Sequence, residues 1–176
     1  MSDLMEKSIQ TLELPRVLEL LADCAVTDEG RQRALTLRPM TDLDDMERAQ
    51  KETSEAVNML SLRGSPGFSG IRPVGPSLQR ADMGGSLSTR ELLDVAAVLR
   101  AARGAGEYGG GAEKTPISHL FQALMPNRFL EDKITNSILG EEEIADSAST
   151  ELASIRRHMR ATEAKVRDIL QKLISS

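Results

Sequence analysis

Tryptophan is absent from this chain of 176 residues, which holds one tyrosine and three phenylalanines. Pleated, half-buried strands favour aromatic and β-branched side chains, so this poverty argues against a substantial sheet. Cysteine is nearly absent too. The single Cys24 rules out an internal disulfide, and its setting in Leu21-Ala-Asp-Cys24-Ala25 predicts an inert thiol on the inner face of a helix. No apolar run approaches the ~20 residues that cross a bilayer, and the first ten residues have no apolar signal core. A soluble, cytoplasmic protein without membrane partners is expected. What remains is 40% apolar residues, including eight methionines. That composition supports an all-α body with a core of Leu, Ala, Met, Val and Ile.

Charge is unevenly placed. From residue 151 onward six basic residues (Arg156, Arg157, Arg160, Lys165, Arg167, Lys172) face three acids (Glu151, Glu163, Asp168). The terminal segment is therefore +3, and with a net charge of -5 the rest of the chain carries -8. Nucleic acid would be repelled by such a body, leaving the terminal segment as the phosphate-binding candidate. The same distribution also suits a solvated helix, because cations late in a helix and acids such as Glu141, Glu142, Glu143 and Asp146 early in it both complement its dipole.

Punctuation divides the chain into about seven helices. A helix over 14–25 carries Pro15 in its first turn and an inner face of Leu14, Val17, Leu18 and Leu21. Thr27 is placed to cap residues 28–37, and Thr41 or Asp42 to cap a long helix reaching about Leu62, with Leu43, Met46, Thr53, Val57 and Leu60 on one side. After a loop at 64–70, a short helix over 76–83 stops at Gly84-Gly85, and Ser88-Thr-Arg-Glu91 opens a helix over 89–103 as a capping box. A flexible stretch is expected at 104–113, followed by helices over 118–124 and 128–138. No internal repeat emerges.

The most regular pattern comes last. Ala145, Ala148, Leu152, Ile155, Met159, Thr162, Val166, Ile169 and Leu173 recur at alternating spacings of three and four, and only Thr162 is out of character. Such a ladder keeps one seam of a long helix facing a partner helix. No glycine, asparagine or proline closes it after Leu173. The expectation is an N-terminal piece of a longer protein, ending while a lever-like helix leaves a globular body.

Sites for chemistry are scarce. The run Gly109-Gly110-Gly111-Ala112-Glu113-Lys114-Thr115 imitates a phosphate loop, but Tyr108 and Glu113 stand where that motif needs glycine, and Pro116 follows at once. His119 and His158 share no metal-ligand spacing with Cys24 or with each other. Glu141 to Glu143 and Asp42-Leu-Asp44-Asp45 could pair carboxylates for acid–base work or magnesium, yet both lie where helix N-termini are expected and acids belong for dipole reasons. No nucleophile stands out. Catalytic, cofactor-binding and metal residues are therefore expected to be none, and the chain is not expected to be an enzyme by itself.

Several stretches in order resemble a known family. Leu62-Arg63-Gly64, Pro66-Gly67-Phe68, Leu78-Gln79-Arg80-Ala81, Gly84, Leu87 and Glu91-Leu92 are similar to the N-terminal region of the second bacterial MutS branch, whose members carry a C-terminal Smr domain. Similarity resumes at Asp146-Ser147-Ala148-Ser149, Leu152, Ile155-Arg156, Arg160, Glu163 and Val166-Arg167, and it fits Leu12-Glu13, the helix with Gly30, and Leu37-Arg38-Pro39. It departs at Pro73 to Pro76, where the family usually has an Asp-Ile-Arg run. The resemblance implies a helical MutS-like core domain over residues 1–140 and the start of the ascending lever helix over 141–176. The clamp, ATPase and Smr domains would lie outside this chain.

For the parent protein the resemblance implies ATP and magnesium binding, a homodimer, DNA binding, Smr-linked endonuclease (hydrolase) activity, and a part in DNA repair as suppression of homologous recombination. Ribosome quality control, by splitting collided ribosomes, is a related role. For this chain it implies a non-catalytic module that transmits movement between its own ATPase and clamp domains. The lever seam would be Leu152, Ile155, Met159, Val166 and Ile169, and Arg156, Arg157, Arg160 and Arg167 are candidate nucleic-acid or ribosome contacts. An alternative from the residues alone is a free-standing helical adaptor that dimerises through its terminal coiled coil.

Overall fold

The computed structural model describes residues 3–68, 70–111 and 114–175. Among them are nine α-helices and one two-stranded ribbon, so the protein is all-α in the main. The helices are α1 (Asp3–Thr11), α2 (Leu14–Asp23), α3 (Asp28–Leu35), α4 (Leu43–Arg63), α5 (Gly75–Asp82), α6 (Thr89–Gly109), α7 (Ser118–Gln122), α8 (Arg128–Ser137) and α9 (Thr150–Ile174). Between α8 and α9 lie β1 (Ile138–Gly140), β2 (Glu143–Ile144) and a 3₁₀ turn (Asp146–Ala148).

Caps set most of these boundaries. Thr27 Oγ1 accepts from the Gly30 amide at 3.1 Å, and Asp42 Oδ1 accepts from the Asp45 amide at 3.0 Å, each satisfying a donor that the first helical turn leaves free. At α6 the capping box is complete. Ser88 Oγ accepts from the Glu91 amide, and the Glu91 carboxylate accepts from the Ser88 amide at 2.8 Å. Glu91 also accepts from Ser77 Oγ at 2.9 Å and from Arg80, which fastens α5 to the start of α6. These contacts, Arg80 foremost, lower the Glu91 carboxyl from 4.5 to about 2.

The core lies where α6 crosses α8 and β1. Ala96, Ile134 and Ile138 are buried there, with Leu92, Leu93 and Val95 packed around them. Small Ala96 on α6 lets the two helices approach closely enough for the isoleucines to meet it. One buried charge, Glu131 of α8, is held in the same contact by Arg100 and Arg103 of α6 at 3.1 Å each. Burying a carboxylate is tolerated because both oxygens are paired.

Several local expectations change. α6 does not end at Arg103 but continues through Gly104 and Gly106 to Gly109. Each helical glycine costs about 1 kcal/mol, offset here by burial of Ala105 and by the anchoring of Tyr108. Cys24 is exposed rather than a core thiol, because Leu18 and Ala22 form the buried face of α2 while Val17 and Leu21 turn outward. On α4 the more covered side includes Met46, Ala49, Glu52, Ala56 and Met59, so of the expected face Met46 is partly covered while Leu43, Thr53, Val57 and Leu60 are exposed. The acids Glu141 to Glu143 stand in the turn and second strand of the ribbon rather than at a helix N-terminus, and α9 begins only at Thr150. Ile138 pairs with Ile144 and Gly140 with Glu143 across a bulge, which holds the chain extended where the lever helix is expected to begin, at residue 141. Ala145 and Ala148 thus belong to the link, and the helical seam starts at Leu152.

The chain exposes 13607 Å² for a mass of 19.2 kDa. A compact monomer of that mass would expose roughly 8,400 Å². Many large apolar side chains on α2, α4 and α9 are exposed. Those faces are unpartnered within this chain, and such area marks interaction surface. Among the described residues no helix is long and apolar enough to cross a membrane.

Candidate functional site

α9 is the element with the most to offer a partner. Its N-terminus is capped by Ser149 Oγ, which accepts from the Leu152 amide at 3.0 Å, and its 25 residues extend for roughly 37 Å. Only Leu152, Ala153 and Arg156 of this helix are partly covered; every residue from Arg157 to Ser175 is exposed. The seam residues Ile155, Met159, Val166 and Ile169 are 50–58% exposed and lie in a row, with Leu173 further along. Leu152, at the base, is half-buried.

The base of α9 is fastened by charge. Arg156 Nη1 donates to Ile144 O at 2.7 Å and to Asp146 Oδ1 at 2.5 Å, and Arg160 Nη2 donates to Asp146 Oδ2 at 2.7 Å. One carboxylate therefore bridges two arginines on successive turns, and they hold the Asp146 carboxyl below the usual range, Arg156 most. The ribbon that leads into the Asp146 turn is itself tied to α6, since Thr89 Oγ1 donates to Glu141 O and Arg90 lies 3.7 Å from the Glu141 carboxylate. Arg157 and Arg167 form no ion pair among the described residues. The four arginines singled out in the sequence thus divide: two hold the helix base and two are free. The spacing alone could not reveal this, because Asp146 reaches them only when the 3₁₀ turn folds against α9.

A second feature has no signal in the sequence. α4, α6 and α7 line an open apolar cleft of about 790 Å³, walled by Met59, Ala105, Tyr108, Ile117 and Phe121. Its rim carries the Glu52 carboxylate 3.9 Å from His119 Nε2. Helices distant in sequence build this wall, so no local motif announces it.

No group of three or more potential metal ligands occurs among the described residues. His158 is exposed, its Nδ1 lying 3.1 Å from Ser154 O, and His119 Nδ1 lies 3.0 Å from Pro116 O. In the glycine-rich run Tyr108 and Gly109 belong to α6, and the Thr115 amide donates to Ser118 Oγ at 2.8 Å, capping the turn before α7. Glu113 lies outside the described residues.

No family model matches the chain. Curated proteins do. It is 40% identical over 176 residues to the endonuclease MutS2 of Acetivibrio thermocellus, 39% identical over 175 residues to that of Ruminiclostridium cellulolyticum and 37% identical over 175 residues to that of Agathobacter rectalis. Each alignment covers 97% of this chain and 22% of the relative, so the chain spans about a fifth of the length of the curated relatives it matches. By this similarity, which extends over nearly the whole of its length, the chain belongs to the MutS2 branch of the MutS family.

Proposed function

We propose that this chain is a non-catalytic core and lever module of a MutS-type, ATP-dependent DNA-binding protein, with a body over residues 1–140 and a lever segment over 141–176. The observation that carries this reading is α9, a 25-residue helix fastened at its base and exposed along nearly all its length. A stiff helix anchored at one end displaces its far end when the base tilts, because its backbone hydrogen bonds are internal. In the parent protein the seam would pack against a returning lever helix, with ATP and magnesium bound in an ATPase domain and a clamp at the far end. Homodimerisation, cytoplasmic location, endonuclease activity and action on recombination intermediates or on collided ribosomes belong to the same proposal for the parent.

The test is made in the full-length protein that carries this region. Val166→Glu combined with Ile169→Glu should leave ATP turnover in the absence of DNA unchanged and remove its response to DNA. Undiminished coupling would refute the lever role. A second reading, a helical adaptor that dimerises through α9, is favoured by the same exposed seam and is separated from the first by the behaviour of the isolated chain in solution.

A further inference from the structure

Arg156, Arg160 and Arg167 lie on one flank of α9, at steps of four and seven residues that return to the same helix face. They span roughly 16 Å along the axis. Such a strip fits a nucleic-acid backbone, in which each phosphate offers two charged acceptor oxygens. Two of the three arginines are already engaged, and by a group of the same chemistry. Asp146 presents its two carboxylate oxygens to them separately, Oδ1 to Arg156 at 2.5 Å and Oδ2 to Arg160 at 2.7 Å. The site is not sealed. The side chains of Asp146 and Arg160 are 45% and 66% exposed, so an external anion can approach them from solvent.

We propose that Arg156 and Arg160 form a phosphate-binding pair which Asp146 fills as an internal surrogate, so that nucleic-acid binding along α9 and fastening of its base exclude one another. A phosphate taking the place of the Asp146 carboxylate leaves the 3₁₀ turn without its charged tie to α9. Ile144 O then keeps α9 only through whatever donor Arg156 has left. Binding on the helix is thereby converted into freedom at its base. The tethered carboxylate competes at an effective concentration of millimolar order or above, so inorganic phosphate is a poor competitor. A duplex that also engages Arg157 and Arg167 gains contacts the carboxylate does not oppose.

This inference rests on the reading of α9 as a nucleic-acid contact, and the experiment separates the two. Binding of a fluorescent duplex of about 30 base pairs is measured across a range of salt concentrations. The proteins are the unmodified chain, Asp146→Asn, and Glu142→Gln as a charge-matched control in the adjacent turn. DNA and RNA duplexes form separate arms, which identify the source of the phosphate. Asp146→Asn should tighten binding about tenfold and steepen the salt dependence by roughly one to two released counterions, while Glu142→Gln changes affinity less than about twofold. Arg156→Ala with Arg160→Ala should erase the gain from Asp146→Asn. Hydrogen exchange at residues 143–148 should speed up when duplex is added to the unmodified chain and not when inorganic phosphate is added. Equal effects of Asp146→Asn and Glu142→Gln, or duplex binding without faster exchange, would overturn the surrogate role and leave the contact reading intact. Absence of binding by every protein at low salt would overturn both. Far-UV circular dichroism of each variant secures the comparison, and the isosteric Asp146→Asn keeps an acceptor for Arg156.

Discussion

The Tyr108 hydroxyl donates to the carbonyl of Gly64 at 2.8 Å, joining the last turn of α6 to the cap of α4 across 44 residues of sequence. The tie is reciprocal, because Arg63 Nη1 donates to Tyr108 O at 2.7 Å. Gly64 ends α4 at φ 75, a conformation that leaves its carbonyl free to accept. Together these bonds fix Tyr108 in the wall of the apolar cleft and explain why α6 runs on to Gly109.

Tyr108→Phe removes one of these bonds and keeps the ring against Phe121, whose centroid lies 6.2 Å away. It should cost about 0.5–1.5 kcal/mol, seen as a fall of a few degrees in the thermal midpoint. An unchanged midpoint would show that solvent replaces the bond without loss.

Two glycines in the last turns of α6 should respond oppositely to alanine. A Cβ on Gly109 would lie 2.0 Å from Cγ of Phe121, whereas one on Gly106 would meet nothing within 4 Å. Gly106→Ala should therefore stabilise by about 0.5–1 kcal/mol through helix propensity. Gly109→Ala should destabilise by about 1–3 kcal/mol, since the ring must move. Chemical denaturation of both variants measures the difference, and a matching sign would contradict the close packing of α6 on α7.

Helix existence was legible wherever a cap and a period coincide, as at Thr27, Asp42 and Ser88, because those signals are local. Burial was less so. Leu21 and Val57 follow a helical apolar period yet face solvent: on α2 the buried face is chosen by Ala22, whose small side chain permits close approach to α3, and on α4 it is Met59 that is buried. Glycines misled at 104–109, where the tertiary tie of Tyr108 outweighs propensity. In the terminal segment the ladder from Leu152 to Leu173 falls on a helix, but it could not separate helix from link at Ala145, whose amide donates to Ser137 O beside the ribbon. The arginines were visible; Asp146 as their common partner was not, because the contact depends on how the turn folds back.

Acid should weaken the fold through three carboxylates. Glu91, Glu131 and Asp146 all titrate below their ordinary values, held there chiefly by Arg80, Arg103 and Arg156. A carboxyl whose folded value is depressed binds fewer protons when folded, so its contribution is complete above the unfolded value and is lost as pH falls through the folded one. For Glu91 that window runs from 4.5 down to about 2. Denaturation midpoints should therefore be flat near neutrality and drop across this window. Glu91→Gln should be less stable than the unmodified chain at neutral pH and show a shallower acid decline; parallel curves would remove Glu91 from the account. Glu131→Gln should cost about 1–3 kcal/mol near neutral pH, because it leaves a buried amide where two arginines expect a charge.

The exposed seam of α9 carries the last expectation. Ile155, Met159, Val166 and Ile169 are each half exposed or more, and burying such a side chain fully is worth ~1.5–3 kcal/mol against leaving it in water. An isolated chain can cover them by pairing α9 with the α9 of a second copy, which the alternating spacing of the seam suits. Sedimentation of the isolated chain should therefore show association that strengthens with concentration, and Val166→Glu with Ile169→Glu should abolish it by placing two charges in the seam. The body should be unaffected. Its core of Ala96, Ile134 and Ile138 lies outside α9, so the thermal midpoint of the doubly substituted chain at low concentration should match that of the unmodified one. A monomer whose α9 amides nonetheless resist hydrogen exchange would mean that the seam is already covered from within the chain, and the helix could not then be a free lever.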